Sequence, residues 1–193
     1  MIIILPCHIP VEVYNDLLDI YGTHEDHAQE WRDTKPLHTR DIKCREHRAV
    51  CQRVNAHLTN TVASIIGPNT YPELSQIVKW PQGSSQSAHF DVARESTTWT
   101  TVTYLNDDYG GGETFFPGEG LKIAPRRGTT ILFNGKEYEH GVNEVKDYPR
   151  YSYSVWYTSD IMLYEETLIE GNLQYIPPPP SNEEIPGFHH RHG

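Results

Sequence analysis

Several common features are scarce or missing in this sequence of 193 residues. No apolar run approaches the roughly 18 residues that a membrane span needs. The opening residues, Met1-Ile-Ile-Ile-Leu-Pro-Cys, are too few for the apolar core of a secretion signal and lack its basic lead. The 16 basic residues are outnumbered by 26 acidic ones, and the formal net charge is -10. Nucleic acid and anionic membranes are therefore not the expected partners.

Cysteine is also scarce, with three residues, which is an odd count for a disulfide framework. Cys44 and Cys51 lie seven positions apart on a predicted helix, so their Cα atoms are separated by about 10 Å. This exceeds the ~7 Å limit for a disulfide bridge. We therefore predict a reducing, cytoplasmic compartment.

A chain of this length fits a single domain, 1–193, with a sizeable core. We predict three regions within it, namely 1–70 with a strand and helices, a core at 71–160 and an extension at 161–193. In the first region, Ile2–Leu5 is a short apolar strand, and Pro10 suits the first position of a helix that ends at Gly22. A polar loop, Thr23 to Thr39, is a candidate lid. A second helix runs from Asp41 to Ile66 and presents one apolar face.

The middle region consists of short strands separated by turns, with no helical segment between them. The predicted strands are 76–80, 88–92, 97–105, 114–116, 121–124, 129–133 and 151–157. This order predicts a mainly β protein with flanking helices (α+β), in which the strands form a jelly-roll and the N-terminal helices pack outside it. The run Gly110-Gly-Gly is a hairpin turn rather than a phosphate loop, because neither Gly-Lys-Ser/Thr nor a helix follows it.

The extension contains a proline-rich tail, Tyr175-Ile-Pro-Pro-Pro-Pro-Ser, with polyproline II character. An extended terminal segment is favoured there over a ligand for a binding groove. For the closing His189-His190-Arg191-His192, a solvated tail is favoured over a metal site.

Two histidines and one aspartate form the strongest chemical hypothesis. His89 and Asp91 lie two positions apart on a predicted strand, so their side chains leave the backbone on the same side. His140, from far along the chain, would be the third member of a two-histidine, one-carboxylate facial triad for Fe(II). The alternatives are a satisfied buried histidine for His140 and a turn or capping acid for Asp91.

An arginine follows the third candidate ligand and shares a strand face with small polar residues. Arg150, Ser152, Ser154 and Trp156 alternate with Tyr151, Tyr153, Val155 and Tyr157. If the first face lines the barrel, the buried guanidinium needs an anion, and a dicarboxylate cosubstrate would provide one. The alternative is an ordinary surface strand end paired with an acid such as Glu144.

Five blocks in this order resemble the Fe(II)/2-oxoglutarate dioxygenase superfamily, and their spacing resembles its prolyl 4-hydroxylase branch. The blocks are Gln76-Ile-Val-Lys-Trp to His89-Phe-Asp, Thr103-Tyr-Leu-Asn-Asp, Gly111-Gly-Glu-Thr-Phe-Phe-Pro with Pro125-Arg-Arg-Gly-Thr, His140-Gly-Val, and Arg150-Tyr-Ser with Val155-Trp-Tyr.

The resemblance implies a double-stranded β-helix of the cupin type, with Fe(II) held by His89, Asp91 and His140. It also implies that Arg150 binds the C5 carboxylate of 2-oxoglutarate, with Tyr104 and Ser152 as helpers. In the family reaction, O2 and 2-oxoglutarate are consumed, succinate and CO2 are released, and a C–H bond of the substrate is hydroxylated. Ascorbate is the implied reductant. Asp91 favours hydroxylation, because related halogenases lose this carboxylate to make room for chloride.

The resemblance implies a prolyl residue of a protein or peptide as the substrate. Trp80 and Gln86 depart from the aromatic residues usual at those positions, and with Trp156 they are the expected substrate-lining residues. Two alternatives remain open. One is the same chemistry on a lysyl residue or a small molecule, and the other is a non-catalytic β-barrel that acts as a binding or structural module.

Overall fold

The computed structural model describes residues 1–91 and 94–169. The predicted proline-rich tail and the closing histidines lie outside the described residues. Two helices and twelve strands are described, with short 3₁₀ turns between some of them. The bounds are β1 Ile2–Leu5, α1 Val11–His24, β2 Lys35–His38, α2 Arg45–Ile66, β3 Tyr71–Trp80, β4 Gln86–His89, β5 Thr97–Tyr104, β6 Gly110–Gly111, β7 Thr114–Phe116, β8 Leu121–Ile123, β9 Thr130–Asn134, β10 His140–Val142, β11 Val145–Lys146 and β12 Arg150–Thr158.

The strands form two main antiparallel sheets that enclose a cavity. The larger sheet has the order β1-β9-β5-β12-β3-β2, and the smaller has the order β4-β10-β7-β8. A third pair, β6 and β11, joins two loops, so Gly110 and Gly111 lie in a short strand and not in the predicted hairpin turn. Most paired strands are far apart in sequence, β7 and β8 being an exception, which is the arrangement of a double-stranded β-helix. The predicted fold class is confirmed.

Strand β12 lies inside the larger sheet and is covered on both faces. Tyr153, Val155 and Tyr157 belong to the apolar cluster that also includes Leu58 of α2 and Leu17 of α1. The alternate residues of β12 face the cavity between the sheets. Because side chains alternate along a strand, β12 supports the helices with one face and lines the site with the other.

The helix ends differ from those predicted. The first helix continues past Gly22 to His24, since a single glycine costs only about 1 kcal/mol in a helix and the buried side chains of Leu17, Ile20 and Tyr21 keep the segment docked. The second helix begins at Arg45 after Cys44, whereas Asp41 lies in a preceding 3₁₀ turn.

The predicted loop from Thr23 to Thr39 is wrong in part, because it contains strand β2. Leu37 of this strand is fully buried, and β2 pairs with β3 from Lys35 opposite Lys79 to His38 opposite Gln76. Four residues without a clear alternation carry little strand signal, so pairing with β3 decides their conformation.

The cysteine prediction is consistent with the structure, where Cys7, Cys44 and Cys51 are all free. Within the described residues, no helix combines the length and apolar character that crossing a membrane would require. The predicted compartment stays a prediction.

We expect the substitution Leu58→Ala to lower the free energy of unfolding by about 2 to 5 kcal/mol, because it opens a cavity between α2 and the larger sheet. The matched control is Ile65→Ala on the same helix, where the side chain is 36% exposed. Urea denaturation of both variants measures the difference. Equal losses in the two variants would mean that α2 is not docked through this face.

Candidate metal centre and anion pocket

The structure brings His89, Asp91 and His140 together in the wall of the cavity. His89 ends β4, Asp91 follows it by two residues, and His140 begins β10 directly opposite His89. The Nε2 atoms of both histidines lie 3.8 Å from Oδ1 of Asp91. One ligand atom from each residue lies within 4.8 Å of the other two. Ligands bound to one ion at ~2.1 Å lie roughly 3 to 3.5 Å apart, so only a small contraction is needed.

Backbone carbonyls orient both imidazole rings. Nδ1 of His89 lies 3.1 Å from the carbonyl oxygen of Ser87, and Nδ1 of His140 lies 3.1 Å from that of Tyr138. If each Nδ1 carries the proton and donates it, each Nε2 keeps its lone pair for a metal. Burial lowers the pKa of His140, and the nearby Asp91 opposes this only in part. The neutral imidazole that a metal requires is thereby favoured.

The two oxygens of Asp91 have different roles. Oδ2 accepts hydrogen bonds from Oγ1 of Thr100 at 2.7 Å and from Nε1 of Trp156 at 3.2 Å. Oδ1 faces the two histidines. Holding one carboxylate oxygen by two donors leaves the other directed at the metal position.

Two residues in this arrangement were missed from the sequence. Thr100 lies on the cavity side of β5, and an alternating strand pattern alone does not identify a partner for Asp91. Gly135 gives the carboxylate room, because a Cβ atom there would lie 2.6 Å from Oδ2 of Asp91. Trp156, predicted to line the substrate, lines the cavity and also donates to Asp91.

Arg150 is buried without an ionic partner. Its side chain is among the largest fully buried ones, with 1% of the residue exposed. Its Nε and Nη1 atoms have no hydrogen-bond partner among the described residues. The guanidinium carbon Cζ lies 4.9 Å from the ring centroid of Trp80 and 5.2 Å from that of Tyr104, so the cation faces both rings. The alternative of a surface arginine paired with Glu144 is therefore wrong, and the buried charge leaves a position for an anion.

The histidines and Arg150 line one cavity of about 320 Å³, a size suited to a small ligand. Its walls come from both sheets and from the segment 29–38 that includes β2. The residues that line it are Gln29, Trp31, Thr34, Pro36, His38, Leu74, Gln76, Val78, Trp80, Gln86, His89, Asp91, Thr100, Val102, Thr114, His140, Val142, Arg150, Ser152, Ser154 and Trp156.

The other predicted site residues lie close to these groups. Ser152 lies on the cavity face of β12 and accepts a hydrogen bond from Nε1 of Trp80 at 3.3 Å. The amide nitrogen of Gln86 is 3.3 Å from Nε2 of His89. Tyr104 contacts Arg150 with its ring, while its hydroxyl bonds to Thr114 and to the carbonyl of Ile123. The functional roles of Ser152, Gln86 and Tyr104 remain predictions.

The comparisons with known proteins agree with this architecture. Residues 75–158 match the family model of the 2OG-Fe(II) oxygenase superfamily. No curated protein matches the chain by sequence. The resemblance seen in the sequence blocks is confirmed, because residues 75–158 match the model of this superfamily.

Solved structures share the fold at low sequence identity. The viral collagen prolyl hydroxylase of Paramecium Bursaria Chlorella virus-1 has a TM-score of 0.63 and 20% identity, covering 81% of this chain and 94% of its own. A prolyl-4-hydroxylase of Pseudomonas putida has a TM-score of 0.67 and 16% identity, covering 81% of this chain and 91% of its own. A prolyl hydroxylase of Trichoplax adhaerens was solved with a peptide fragment of the hypoxia inducible factor oxygen degradation domain. It has a TM-score of 0.66 and 16% identity, covering 82% of this chain and 83% of its own. The likeness to the prolyl hydroxylase branch is thus one of fold.

We expect Thr100→Val to weaken binding of Fe(II) by about tenfold, because the variant keeps the shape of the side chain but removes a donor to Asp91. Anaerobic isothermal titration calorimetry measures the dissociation constant. Thr98→Val on the same strand is the control, since the Thr98 hydroxyl makes no hydrogen bond within the described residues. An unchanged affinity in Thr100→Val would show that Trp156 alone orients the carboxylate.

Proposed function

We propose that the protein is an Fe(II)- and 2-oxoglutarate-dependent dioxygenase that hydroxylates a C–H bond, with a prolyl residue of a protein or peptide as the substrate. The observation that carries the proposal is the buried, unpartnered guanidinium of Arg150 in the same cavity as His89, Asp91 and His140. The metal ligands alone would suit many reactions. A buried cation next to them is the feature that calls for a dicarboxylate.

In this proposal each protein group has a defined task. His89 and His140 present their Nε2 lone pairs and Asp91 presents Oδ1, a set of three ligands that leaves coordination positions open. Bound Fe(II) would supply the oxygen chemistry, with 2-oxoglutarate as the co-oxidised partner. Arg150 would hold the distal carboxylate of the cosubstrate through a planar pair of N–H donors. Ser152 accepts from Trp80, so its own hydroxyl proton is available to the same carboxylate.

The segment 29–38 forms one wall of the cavity and belongs to the loop for which a lid role is proposed. It is a short hairpin, in which Trp31 and Thr34 exchange backbone hydrogen bonds of 3.0 Å in both directions. Trp31 lines the cavity while remaining 50% exposed, and Phe90, next to His89, is 44% exposed. Exposed aromatic side chains beside a site are suited to contact an extended peptide, which supports a polypeptide substrate.

The prolyl assignment also draws on the relatives, which are prolyl hydroxylases in three cases and include one solved with a peptide. A lysyl residue or a small molecule remains the alternative substrate, because Trp80 and Gln86 differ from the pattern of the branch. A non-catalytic module is disfavoured, since neither the triad nor a buried arginine is needed for a passive barrel. Ascorbate as a reductant and the absence of a nucleic-acid partner stay part of the proposal.

We expect the wild-type protein to bind 2-oxoglutarate only when Fe(II) is present under anaerobic conditions and to release succinate when air is admitted. Asp91→Ala removes a metal ligand and should lose both metal-dependent binding and succinate release. Asp16→Ala, which alters an exposed carboxylate on α1, is the control and should behave as wild type. Absence of metal-dependent 2-oxoglutarate binding by the wild-type protein would falsify the enzymatic proposal, and turnover by Asp91→Ala would show that the site is misplaced.

We expect proline-containing peptides to gain one oxygen atom when they are incubated with protein, Fe(II), 2-oxoglutarate and air. The panel should pair each peptide with a version in which alanine replaces proline, alongside lysine-containing peptides and free amino acids. Mass spectrometry locates the added oxygen. Oxygen gained only by lysyl peptides or by free amino acids would overturn the prolyl substrate while leaving the dioxygenase chemistry intact.

A further inference from the structure

A second polar group without a partner lies beside Arg150. The hydroxyl oxygen of Tyr109 is buried and makes no hydrogen bond within the described residues. Nε and Nη1 of Arg150 are likewise buried and have no hydrogen-bond partner within the described residues. A buried hydroxyl without a partner is costly, and phenylalanine would fill the same space without that cost. The hydroxyl therefore calls for an explanation beyond packing.

The turn that carries Tyr109 is bound to the chain on both sides of Arg150. The side chain of Asn106 donates to the carbonyl of Pro149 at 2.9 Å and accepts from the backbone N–H of Tyr151 at 2.7 Å. These two bonds hold the start of the turn against β12. Because these bonds anchor the turn to β12, they also fix the position of Tyr109 relative to Arg150.

Gly112 allows the ring of Tyr109 and the stem of Arg150 to approach closely. A Cβ atom at Gly112 would lie 2.8 Å from Cε2 of Tyr109 and 3.2 Å from Cδ of Arg150. The glycine also has a φ of 63°, which disfavours any other residue. The ring packs against an apolar cluster that includes Trp80 and Val78, and Trp80 is the residue on which the guanidinium stacks.

The phenol keeps its proton under ordinary conditions. Burial raises the pKa of Tyr109, and the adjacent Arg150 guanidinium opposes this rise only in part. A neutral phenol has an oxygen that accepts hydrogen bonds as well as a proton to donate, whereas a guanidinium has donors only. The two side chains are thus chemically matched.

We infer that Tyr109 is a positioning residue for Arg150. When a carboxylate occupies the cavity, the phenol oxygen of Tyr109 accepts an N–H from the guanidinium and orients its remaining donors towards that carboxylate. The inference rests on the proposed function, in which that carboxylate is the distal group of 2-oxoglutarate. Tyr109 acts through Arg150 and does not contact the metal ligands. Tyr109 therefore contributes to the affinity for the cosubstrate and not to the binding of the metal.

The test compares Tyr109→Phe with the wild-type protein and with Tyr148→Phe, a control in which the altered tyrosine is 62% exposed. Anaerobic calorimetry in the presence of Fe(II) measures dissociation constants for 2-oxoglutarate and for 2-oxopentanoate, which has the oxo acid but no distal carboxylate. We expect Tyr109→Phe to weaken 2-oxoglutarate binding by about tenfold, the effect of one hydrogen bond to a charged group. Binding of 2-oxopentanoate should be unchanged, and Tyr148→Phe should match the wild type for both compounds.

Two further measurements separate positioning from packing. The thermal midpoint of the metal-free Tyr109→Phe protein should equal or exceed that of the wild type, because an unpartnered hydroxyl is removed. If turnover is observed, the KM for 2-oxoglutarate should rise while kcat at saturation stays the same. A lower midpoint with equal weakening of both oxo acids would mean that Tyr109 only packs and would overturn the inference.

The outcomes also separate this inference from the proposed function. Failure of the wild-type protein to bind 2-oxoglutarate in the presence of Fe(II) would remove the proposed function. Normal binding by the wild type together with an unchanged dissociation constant in Tyr109→Phe would remove the inference alone.

Discussion

The unpaired positive charge of Arg150 is the constraint around which the site is arranged. It lies inside the sheet with 1% of its surface exposed, and no described carboxylate neutralises it. The aromatic faces of Trp80 and Tyr104 offset part of the cost of removing the guanidinium from water. They cannot replace an anion, because a ring carries no formal charge. A protein that tolerates such a charge gains a strong preference for ligands that bear a carboxylate.

In the candidate metal centre, the protein likewise provides hydrogen-bond partners for one polar atom of each ligand side chain. Two donors hold one oxygen of Asp91, and a backbone carbonyl holds one nitrogen of each histidine. The remaining oxygen and the two remaining nitrogens then converge on one point. The polar groups at this end of the cavity are therefore oriented before any ion arrives, which reduces the reorganisation that binding requires.

The strands on which these groups lie could be predicted largely from the sequence, and the boundaries of the helices could not. Arg150 and Ser152 stand two positions apart within β12, so a period of two places them on one face. His89 and Asp91 have the same spacing, but β4 ends at His89, so Asp91 lies beyond the strand that was predicted to hold both. Strand β2 pairs with β3, which is distant in the chain, and the start of α2 follows a 3₁₀ turn. Leu37 is buried in an apolar cluster that both helices and the larger sheet share, and Asp41 lies in a 3₁₀ turn before the helix rather than at its cap.

By itself the sequence determined the alternation of β12, the residues of the candidate triad with their order along the chain, and the resemblance to the superfamily. These depend on residue type and short-range spacing, which the tertiary structure does not alter. Only the tertiary structure decided that Arg150 is buried without a partner, that Thr100 and Trp156 share one oxygen of Asp91, and that Tyr109 lies beside Arg150. Each of these results from pairing between strands or turns remote in sequence, and the contacts across such pairs are not encoded in any local pattern.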